Sequence, residues 1–188
     1  MSDIKLLSLT AMGQPSPVEV VIGGVTIAEN PGLALASLAI RKNGAAAVMA
    51  AATQLKLAMS APGTFTTGSP YGALWLGPEQ WMIMADFANH ELLAAELETA
   101  FGKAASITEQ TDGWVCFDLS GADLAKMMER LCALDIRAMP SGSGTRTVIE
   151  HMGCYVMLRD GGRVRILGAR SSAASLLHAL EAAALSVT

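Results

Sequence analysis

Short apolar stretches separated by turn residues predict two strands, a third strand and a helix in the first part of the chain. Residues 18–22 and 25–28 flank Gly23-Gly24, and two glycines suit a tight hairpin turn because they tolerate positive φ. Residues 33–41 alternate larger and smaller side chains up to the turn pair Asn43-Gly44, which indicates a strand. Residues 45–57 contain helix formers without a breaker and predict a helix.

The next segment predicts a loop, two strands and a second helix. Residues 60–70 are rich in Ser, Thr, Pro and Gly, which is typical of a loop. Residues 73–76 and 81–85 predict strands on either side of a Gly-Pro turn. Asn89 is placed to cap a helix whose buried side carries spaced apolar residues, namely Leu92, Leu93, Ala95, Leu97 and Phe101.

The second half of the chain repeats this order. Residues 114–119 predict a strand, and Ser120-Gly121-Ala122-Asp123 has the pattern of a capping box that begins a helix. The apolar face of that helix is formed by Leu124, Met127, Met128 and Leu131. Strands at 145–149, 154–159 and 163–167 and a helix from 172 to about 185 follow.

Both halves therefore read as strand-helix-strand-strand-helix units, and Arg41 and Pro62 are separated by as many positions as Leu119 and Pro140. Because each unit is too small to bury its own sheet face, the two should share one core. We predict an α+β fold in which a mainly antiparallel sheet is covered by helices.

Residues 1–30 form an N-terminal segment with a short hairpin, and residues 31–188 form one domain with pseudo-repeats at about 31–103 and 104–188. The alternative is a split near residue 103 into two packed lobes.

Composition narrows the range of partners. The chain has 13 Lys and Arg against 17 Asp and Glu, a net charge of -4, and no basic stretch that could follow a phosphate backbone, so nucleic acid is excluded. Apolar residues make up 52% and charged residues 16%, whereas roughly a quarter of an average soluble domain is charged. Alanine runs such as residues 45–52 explain this surplus, or it forms a surface for a partner subunit.

The sequence also predicts a cytoplasmic protein that does not enter a membrane. No uninterrupted apolar run approaches the ~18 to 20 residues that a membrane helix needs. Met1-Ser2-Asp3-Ile4-Lys5 lacks the basic region and apolar core of a leader.

Residue types that carry chemistry do not gather into a site. Cys116, Cys132 and Cys154 are widely spaced within apolar segments, which indicates core residues rather than disulfides or zinc ligands. The histidines lack the spacing of a metal site and lie at His90, His151 and His178. We predict no metal site in this chain.

Three further patterns have ordinary structural explanations. The helix start at Ser120-Gly121-Ala122-Asp123 could receive an anion, but a capping box accounts for it fully. Carboxylates Glu109, Asp112 and Asp118 cluster around one predicted hairpin, which is typical of a charged turn. No Gly-x-Ser-x-Gly elbow is found. We predict no catalytic or cofactor-binding residue.

One predicted strand pair is unusually rich in large apolar residues. Trp75 and Trp81 lie at the ends of strands joined by a Gly-Pro turn, and alternation places Met82 and Met84 on one face with Trp81 and Ile83 on the other. Either helices cover both faces or one face binds a partner. We predict a partner interface at Trp75, Trp81, Met82 and Met84.

Five phrases, in order, resemble the gamma subunit of heterotetrameric sarcosine oxidase. They are Trp75-Leu76-Gly77-Pro78-Glu79-Gln80-Trp81, Ser106-Ile107-Thr108-Glu109-Gln110-Thr111-Asp112-Gly113, Leu119-Ser120-Gly121-Ala122-Asp123, Glu150-His151-Met152-Gly153 and Arg170-Ser171-Ser172-Ala173-Ala174-Ser175-Leu176. The resemblance spans roughly residues 25 to 182. It implies an accessory, noncatalytic subunit of an enzyme that oxidatively demethylates sarcosine to glycine.

The same resemblance implies the partners, the cofactors and the fold. The partners are the alpha, beta and delta subunits. FAD, FMN, NAD and tetrahydrofolate belong to the larger alpha and beta subunits, and zinc to the delta subunit, so this chain itself holds no cofactor. The implied fold is the folate-binding fold of the aminomethyltransferases.

Two alternatives remain open at the level of sequence. The first is a free-standing folate-binding or aminomethyl-transfer-like protein, which would need a buried carboxylate to pair with the pterin ring. The candidates Asp118, Glu109 and Glu150 fall in predicted strands or turns without a clear inward pattern, which weakens this alternative. The second is a paralogue that serves a different amine dehydrogenase.

Overall fold

The computed structural model describes residues 7–188 and contains two antiparallel sheets. The six-stranded sheet has the order β1-β2-β8-β11-β10-β9 and is formed by β1 (Glu19–Ile22), β2 (Val25–Glu29), β8 (Trp114–Ser120), β9 (Gly144–Ile149), β10 (Met152–Arg159) and β11 (Arg163–Ala169). The five-stranded sheet has the order β4-β5-β6-β3-β7 and is formed by β3 (Leu33–Ile40), β4 (Phe65–Thr66), β5 (Gly72–Gly77), β6 (Gln80–Asp86) and β7 (Ala105–Glu109).

Helices cover the outer face of each sheet. Helices α1 (Ala45–Gln54) and α2 (Leu93–Phe101) pack on the five-stranded sheet, and α3 (Leu124–Leu131) and α4 (Ala173–Leu185) pack on the six-stranded sheet. The inner faces of the two sheets pack against each other. The molecule therefore has the layer order helix, sheet, sheet, helix, which confirms the predicted α+β class with antiparallel sheets covered by helices.

Strand β6 shows why both faces of a sheet are apolar here. Met82 and Met84 point into the layer between the sheets, whereas Ile83 and Ala85 point toward α1 and α2. Because successive side chains of a strand alternate between faces, a strand covered on both sides has few positions left for polar residues. The apolar surplus of β6 is used within the chain.

The predicted internal repeat is confirmed, with one addition. The order β2-β8-β11-β10-β9 in one sheet corresponds to β7-β3-β6-β5-β4 in the other. Strand β2 precedes β3 along the chain but pairs with β8, and β7 precedes β8 but pairs with β3. The first half thus adds the hairpin of β1 and β2 to the sheet of the second half, and the second half adds β7 to the sheet of the first. The domain bounds at residues 30 and 103 stay a prediction.

Both predicted helix caps are wrong. Ser120 is the last residue of β8, and α3 begins at Leu124 without a side-chain cap. Gly121 instead allows a close approach to the N-terminal hairpin, because a Cβ there would lie 2.0 Å from the Gly24 carbonyl oxygen. Helix α2 begins at Leu93, and the Asn89 side chain donates a hydrogen bond to Asp86.

Two strands were missed by the sequence prediction. Strand β4 lies inside the predicted loop, and its two residues are too few to show a period. Strand β7 alternates between apolar and polar residues, but it has only two apolar residues, Ala105 and Ile107, which are too few to stand out as a pattern. Residues 1–5, on which the absence of a leader was predicted, lie outside the described residues.

Candidate functional site

A cavity of about 480 Å³ opens between the two sheets, where β3 begins and β6 and β10 end. The segment from Phe65 to Pro70 forms one side of it. Both sheets also supply apolar walls, through Leu33 and Met84 from one and Met157 from the other. The volume is within the range of small-molecule sites, about 300 to 1,000 Å³. This cavity is the candidate functional site.

Arginines of the six-stranded sheet form the polar wall of the cavity. Arg165 lies opposite Asp118 in the register of β11 and β8. Its Nε donates to Asp118 Oδ1 at 2.7 Å, and its Nη2 donates to Oδ2 at 2.7 Å. Asn30 Nδ2 donates to the same Oδ2 at 2.7 Å. Arg159 Nη1 completes the cluster at 3.4 Å from Oδ1, which is long for a hydrogen bond.

The charges of this cluster do not balance. Burial by itself would raise the pKa of Asp118, but hydrogen bonds and charge from Arg165, together with Asn30 and Arg159, hold that pKa below its ordinary value. Burial opposes the charge of Arg165, and the bond to Asp118 outweighs it, so the pKa of Arg165 is raised. The cluster therefore carries two guanidinium groups and one carboxylate, a net positive charge beside the cavity.

A second polar group lies on the wall supplied by the five-stranded sheet and α2. His90 Nδ1 is 2.8 Å from Glu96 Oε2, and the Tyr71 hydroxyl donates to the same oxygen at 3.2 Å. The rings of Tyr71 and His90 are tilted by 55° at a centroid distance of 5.3 Å. Burial, followed by the charge of Glu96 and its hydrogen bond, raises the pKa of Tyr71. His90 is thus fixed in place at the edge of the cavity.

The four residues of the predicted partner interface fall into two environments. Met82 and Met84 are 1% and 7% exposed and lie in the core between the sheets. This corrects their assignment to a surface. Trp75 and Trp81 are cross-strand neighbours in β5 and β6 and remain partly exposed. Trp81 Nε1 donates to the Ser60 carbonyl oxygen at 2.9 Å. The interface stays a prediction, and it now rests on the two tryptophans.

The carboxylates considered from sequence are separated by the fold. Strands β7 and β8 belong to different sheets, so Glu109, Asp112 and Asp118 do not share a hairpin. Asp118 points inward and is 27% exposed, whereas Asp112 is 89% exposed. Glu109 accepts a hydrogen bond from the Thr111 backbone N–H. Glu150 lies in an exposed turn with positive φ.

The cysteines lie in nonpolar surroundings. Burial raises the pKa of Cys116 to about 12 and that of Cys154 to about 11, and Cys132 is half-buried with its pKa also raised by burial. The thiols stay protonated at neutral pH and are poor nucleophiles. Among residues 7–188, no three side chains of His, Cys, Asp or Glu come together as a metal site would require.

Across the described part of the chain, the helices are too short or too polar to cross a membrane.

The cavity was missed at the sequence level because its parts are distant in the chain. Asp118 and Arg165 lie in β8 and β11, and Asn30 directly follows β2, so only the pairing of these three strands brings the residues together. A signal was present in the two charged residues Arg163 and Arg165, which alternate with apolar residues in β11. An arginine on a strand face that is otherwise covered requires a carboxylate partner.

Comparison with known proteins gives the fold but no sequence family. No protein-family model and no curated protein matches the chain. A chain of the heterotetrameric sarcosine oxidase from Corynebacterium sp. U-96 superposes with a TM-score of 0.75 over 88% of this chain and 87% of that chain, at 22% identity. This chain shares that fold. The sarcosine oxidase resemblance predicted from the five phrases is thereby confirmed at the level of structure.

This chain also shares the predicted aminomethyltransferase fold. The glycine cleavage system aminomethyltransferase T from Bartonella henselae superposes with a TM-score of 0.60 over 85% of this chain, at 15% identity. This chain covers 46% of that protein. The sarcosine oxidase chain is matched over nearly its whole length, whereas the aminomethyltransferase is about twice as long as the region it shares.

Proposed function

We propose that this chain is a noncatalytic, gamma-like subunit of a heterotetrameric sarcosine oxidase. The observation that carries this proposal is the superposition on a chain from such an enzyme, with a TM-score of 0.75 over 88% of this chain. The superposition on an aminomethyltransferase covers a similar share of this chain, 85%, but has a lower TM-score of 0.60. The described fold therefore fits the oxidase subunit better than the transferase.

The chemistry of the described residues supports an accessory role. The buried thiols of Cys116 and Cys154 are protonated at neutral pH, and the Nδ1 atom of His90 is engaged by Glu96. Asp118 is held by two arginines and an asparagine, so it is a poor proton acceptor. We assign flavin, NAD, folate and zinc chemistry to the alpha, beta and delta subunits of the proposed assembly.

We place the partner surface on the helix side of the five-stranded sheet, around Trp75 and Trp81. Aromatic side chains that are half-exposed on a surface are favoured anchors of protein interfaces. Helix α1 covers the same sheet face and has no charged residue, and its Met49 is 50% exposed. An uncharged exposed helix beside two tryptophans is typical of an interface core.

Co-purification tests the assignment. The chain is tagged in its own host, and the recovered partners are identified by mass spectrometry. We expect two larger chains that carry flavin, together with sarcosine-dependent oxygen consumption. Recovery of the chain alone with bound folate would instead support the free-standing folate protein, and partners without flavin would contradict the proposal.

A matched pair of variants tests the position of the interface. Trp75→Gln should lower the recovery of partner chains by about tenfold, which is the effect of an interface anchor. Val21→Gln is the control, because Val21 is 66% exposed on β1 in the other sheet. Equal recovery of partner chains with both variants would show that Trp75 is not in the interface. A lower melting temperature of Trp75→Gln would assign the lost recovery to unfolding and would count against the interface as well.

A further inference from the structure

The cavity between the sheets has a chemical feature that the proposed subunit role does not use, namely an arginine, Arg159, whose hydrogen-bond donors are mostly unused. Arg165 is paired with Asp118 through two bonds of 2.7 Å. Asp118 is thereby held by other donors, because each of its oxygens accepts a bond of 2.7 Å from Arg165 and Oδ2 accepts another from Asn30. Arg159 has only the 3.4 Å contact to this carboxylate. Its charge is thus only weakly compensated by Asp118.

The position of Arg159 makes this charge costly without a counterion. Its side chain is 28% exposed, so most of its hydration is lost. A guanidinium offers five N–H donors in a planar fork that matches a carboxylate. Within residues 7–188, the Arg159 side chain has a single hydrogen bond, that to Asp118. The remaining donors are available on the wall of the cavity, where Arg159 is a lining residue.

The neighbouring acidic residues are occupied elsewhere. Asp160 accepts a hydrogen bond from the Ser141 hydroxyl, and Asp86, on the opposite wall, accepts one from the Asn89 amide. Glu96 is bound by His90 and Tyr71. None of these three carboxylates bonds to Arg159, so its remaining donors are left for a ligand, and a single carboxylate matches the planar fork of one guanidinium.

The apolar walls of the cavity determine which kind of organic group carries the anion. Leu33, Phe65, Met84 and Met157 line the same cavity, and all four side chains also belong to the apolar layer between the sheets. Methionine sulfur and a phenylalanine ring pack well against flat apolar groups. A volume of about 480 Å³ holds a compact organic molecule together with a few waters.

We propose that this cavity binds a small monocarboxylic acid, with its carboxylate on Arg159 and its apolar body between Phe65 and the two methionines. Thr67 and Ser69 lie on the open side of the cavity, where their hydroxyls can bind the second face of the carboxylate or its waters. The site is separate from the surface of Trp75 and Trp81, which lies on the helix side of the five-stranded sheet.

The experiment uses the purified full chain and three probes, benzoate, phenylacetate and hexanoate, with benzamide as the uncharged isostere of benzoate. Binding is followed by NMR chemical shifts and by calorimetry. Each probe is titrated to about 10 mM, which is about tenfold above a Kd of about 1 mM. We expect saturable binding of at least one carboxylate, at least about tenfold weaker binding of benzamide, and a similar loss in Arg159→Gln. Arg146→Gln, at an exposed position of β9, is the matched control and should bind like the wild type.

Each other outcome contradicts the proposal. Absence of saturable binding for all three carboxylates would overturn it, and equal binding of benzoate and benzamide would show an apolar cavity without a carboxylate site. Should Arg159→Gln not fold, Arg159→Lys retains the charge but loses the planar fork, and unchanged binding in that variant would count against bidentate contact. Carboxylate binding that disappears on assembly would assign the cavity to a partner's side chain. That last result would contradict the small-molecule site while leaving the proposed subunit role intact.

Discussion

At the residue scale, Asp118 holds together strands that are far apart in the chain. It accepts hydrogen bonds from Asn30, which follows β2, and from Arg165 of β11, on either side of its own strand β8. A carboxylate that compensates two partly buried arginines is much harder to remove than an exposed one, because its loss leaves like charges close together. The stability of the six-stranded sheet should depend on this single side chain.

Replacement of Asp118 by asparagine tests this role. We expect Asp118→Asn to lower the free energy of unfolding by about 2 kcal/mol, because Arg165 loses a charge-assisted pair of hydrogen bonds. Urea unfolding followed by circular dichroism gives the value. Asp112→Asn is the control, since Asp112 is 89% exposed and has a single contact at 3.4 Å. Similar losses in the two variants would contradict a special role for Asp118.

The same substitution has a pH dependence whose sign follows from the pKa. The pKa of Asp118 is lower in the folded chain than its ordinary value of 3.8, so its ionised form stabilises the fold above that value. This contribution is lost as the pH falls through the lowered pKa. The difference in unfolding free energy between wild type and Asp118→Asn should be constant from neutral pH to about 5 and should shrink below about 4. A difference that grows on acidification would contradict the assignment.

At the scale of elements, the packing of the sheets explains what the sequence did and did not reveal. Strands β1, β2, β3, β5 and β6 have the apolar patterns and turn residues of their type, and all were predicted. The starts of α1 and α4 were predicted as well. Those of α2 and α3 were not, because Ser120 and Asn89 have the composition of caps but are used in a strand end and a turn. Short-range signals indicate an element, whereas its ends depend on what the neighbouring strands require.

The candidate site was beyond sequence reasoning for a related reason. Arg165 and Asp118 are each ambiguous alone, since a charged residue in a strand usually faces solvent. Whether they form an ion pair depends on the register of β8 against β11. The sequence also left open whether helices cover both faces of β6 or a partner covers one. The structure instead places the six-stranded sheet over one face, which makes Met82 and Met84 core residues.

The packing between the sheets gives a second test. Met82→Gln places an amide in the apolar layer between the sheets, where Met82 is 1% exposed, and should lower stability by about 2 to 4 kcal/mol. Thermal unfolding measures the effect as a lower melting temperature. Met49→Gln is the control on the exposed side of α1, with an expected change within about 0.5 kcal/mol. An unchanged melting temperature for Met82→Gln would contradict the core assignment.

At the scale of the whole molecule, the exchange of β2 and β7 connects the two halves. Each sheet contains a strand from the other half, so neither sheet is complete without both parts of the chain. The layer between the sheets adds apolar contacts that neither half could bury alone. We therefore expect the halves to unfold together rather than as two independent lobes.

Variants that keep tryptophan in only one of the two sheets test whether the halves unfold together. Trp75 and Trp81 lie in the five-stranded sheet, and Trp114 lies in the six-stranded sheet. In a Trp114→Phe variant, the remaining fluorescence reports on the five-stranded sheet. In a Trp75→Phe/Trp81→Phe variant, it reports on the six-stranded sheet. In each variant, the urea midpoint from fluorescence should coincide with that from circular dichroism. Separate midpoints in the same variant would support two lobes that meet near residue 103.

The exchanged strands also have a consequence for how the chain is made. Val25 and Ile27 belong to a hairpin near the start of the chain, yet Ile27 pairs with Leu119 of β8. During synthesis on the ribosome, this hairpin is made long before β8. The backbone edge of β2 therefore stays unpaired while β3 to β7, α1 and α2 emerge. Long-range pairing of this kind slows folding and exposes strand edges to aggregation. Nascent chains that end before β8 should therefore be the ones that chaperones hold most strongly.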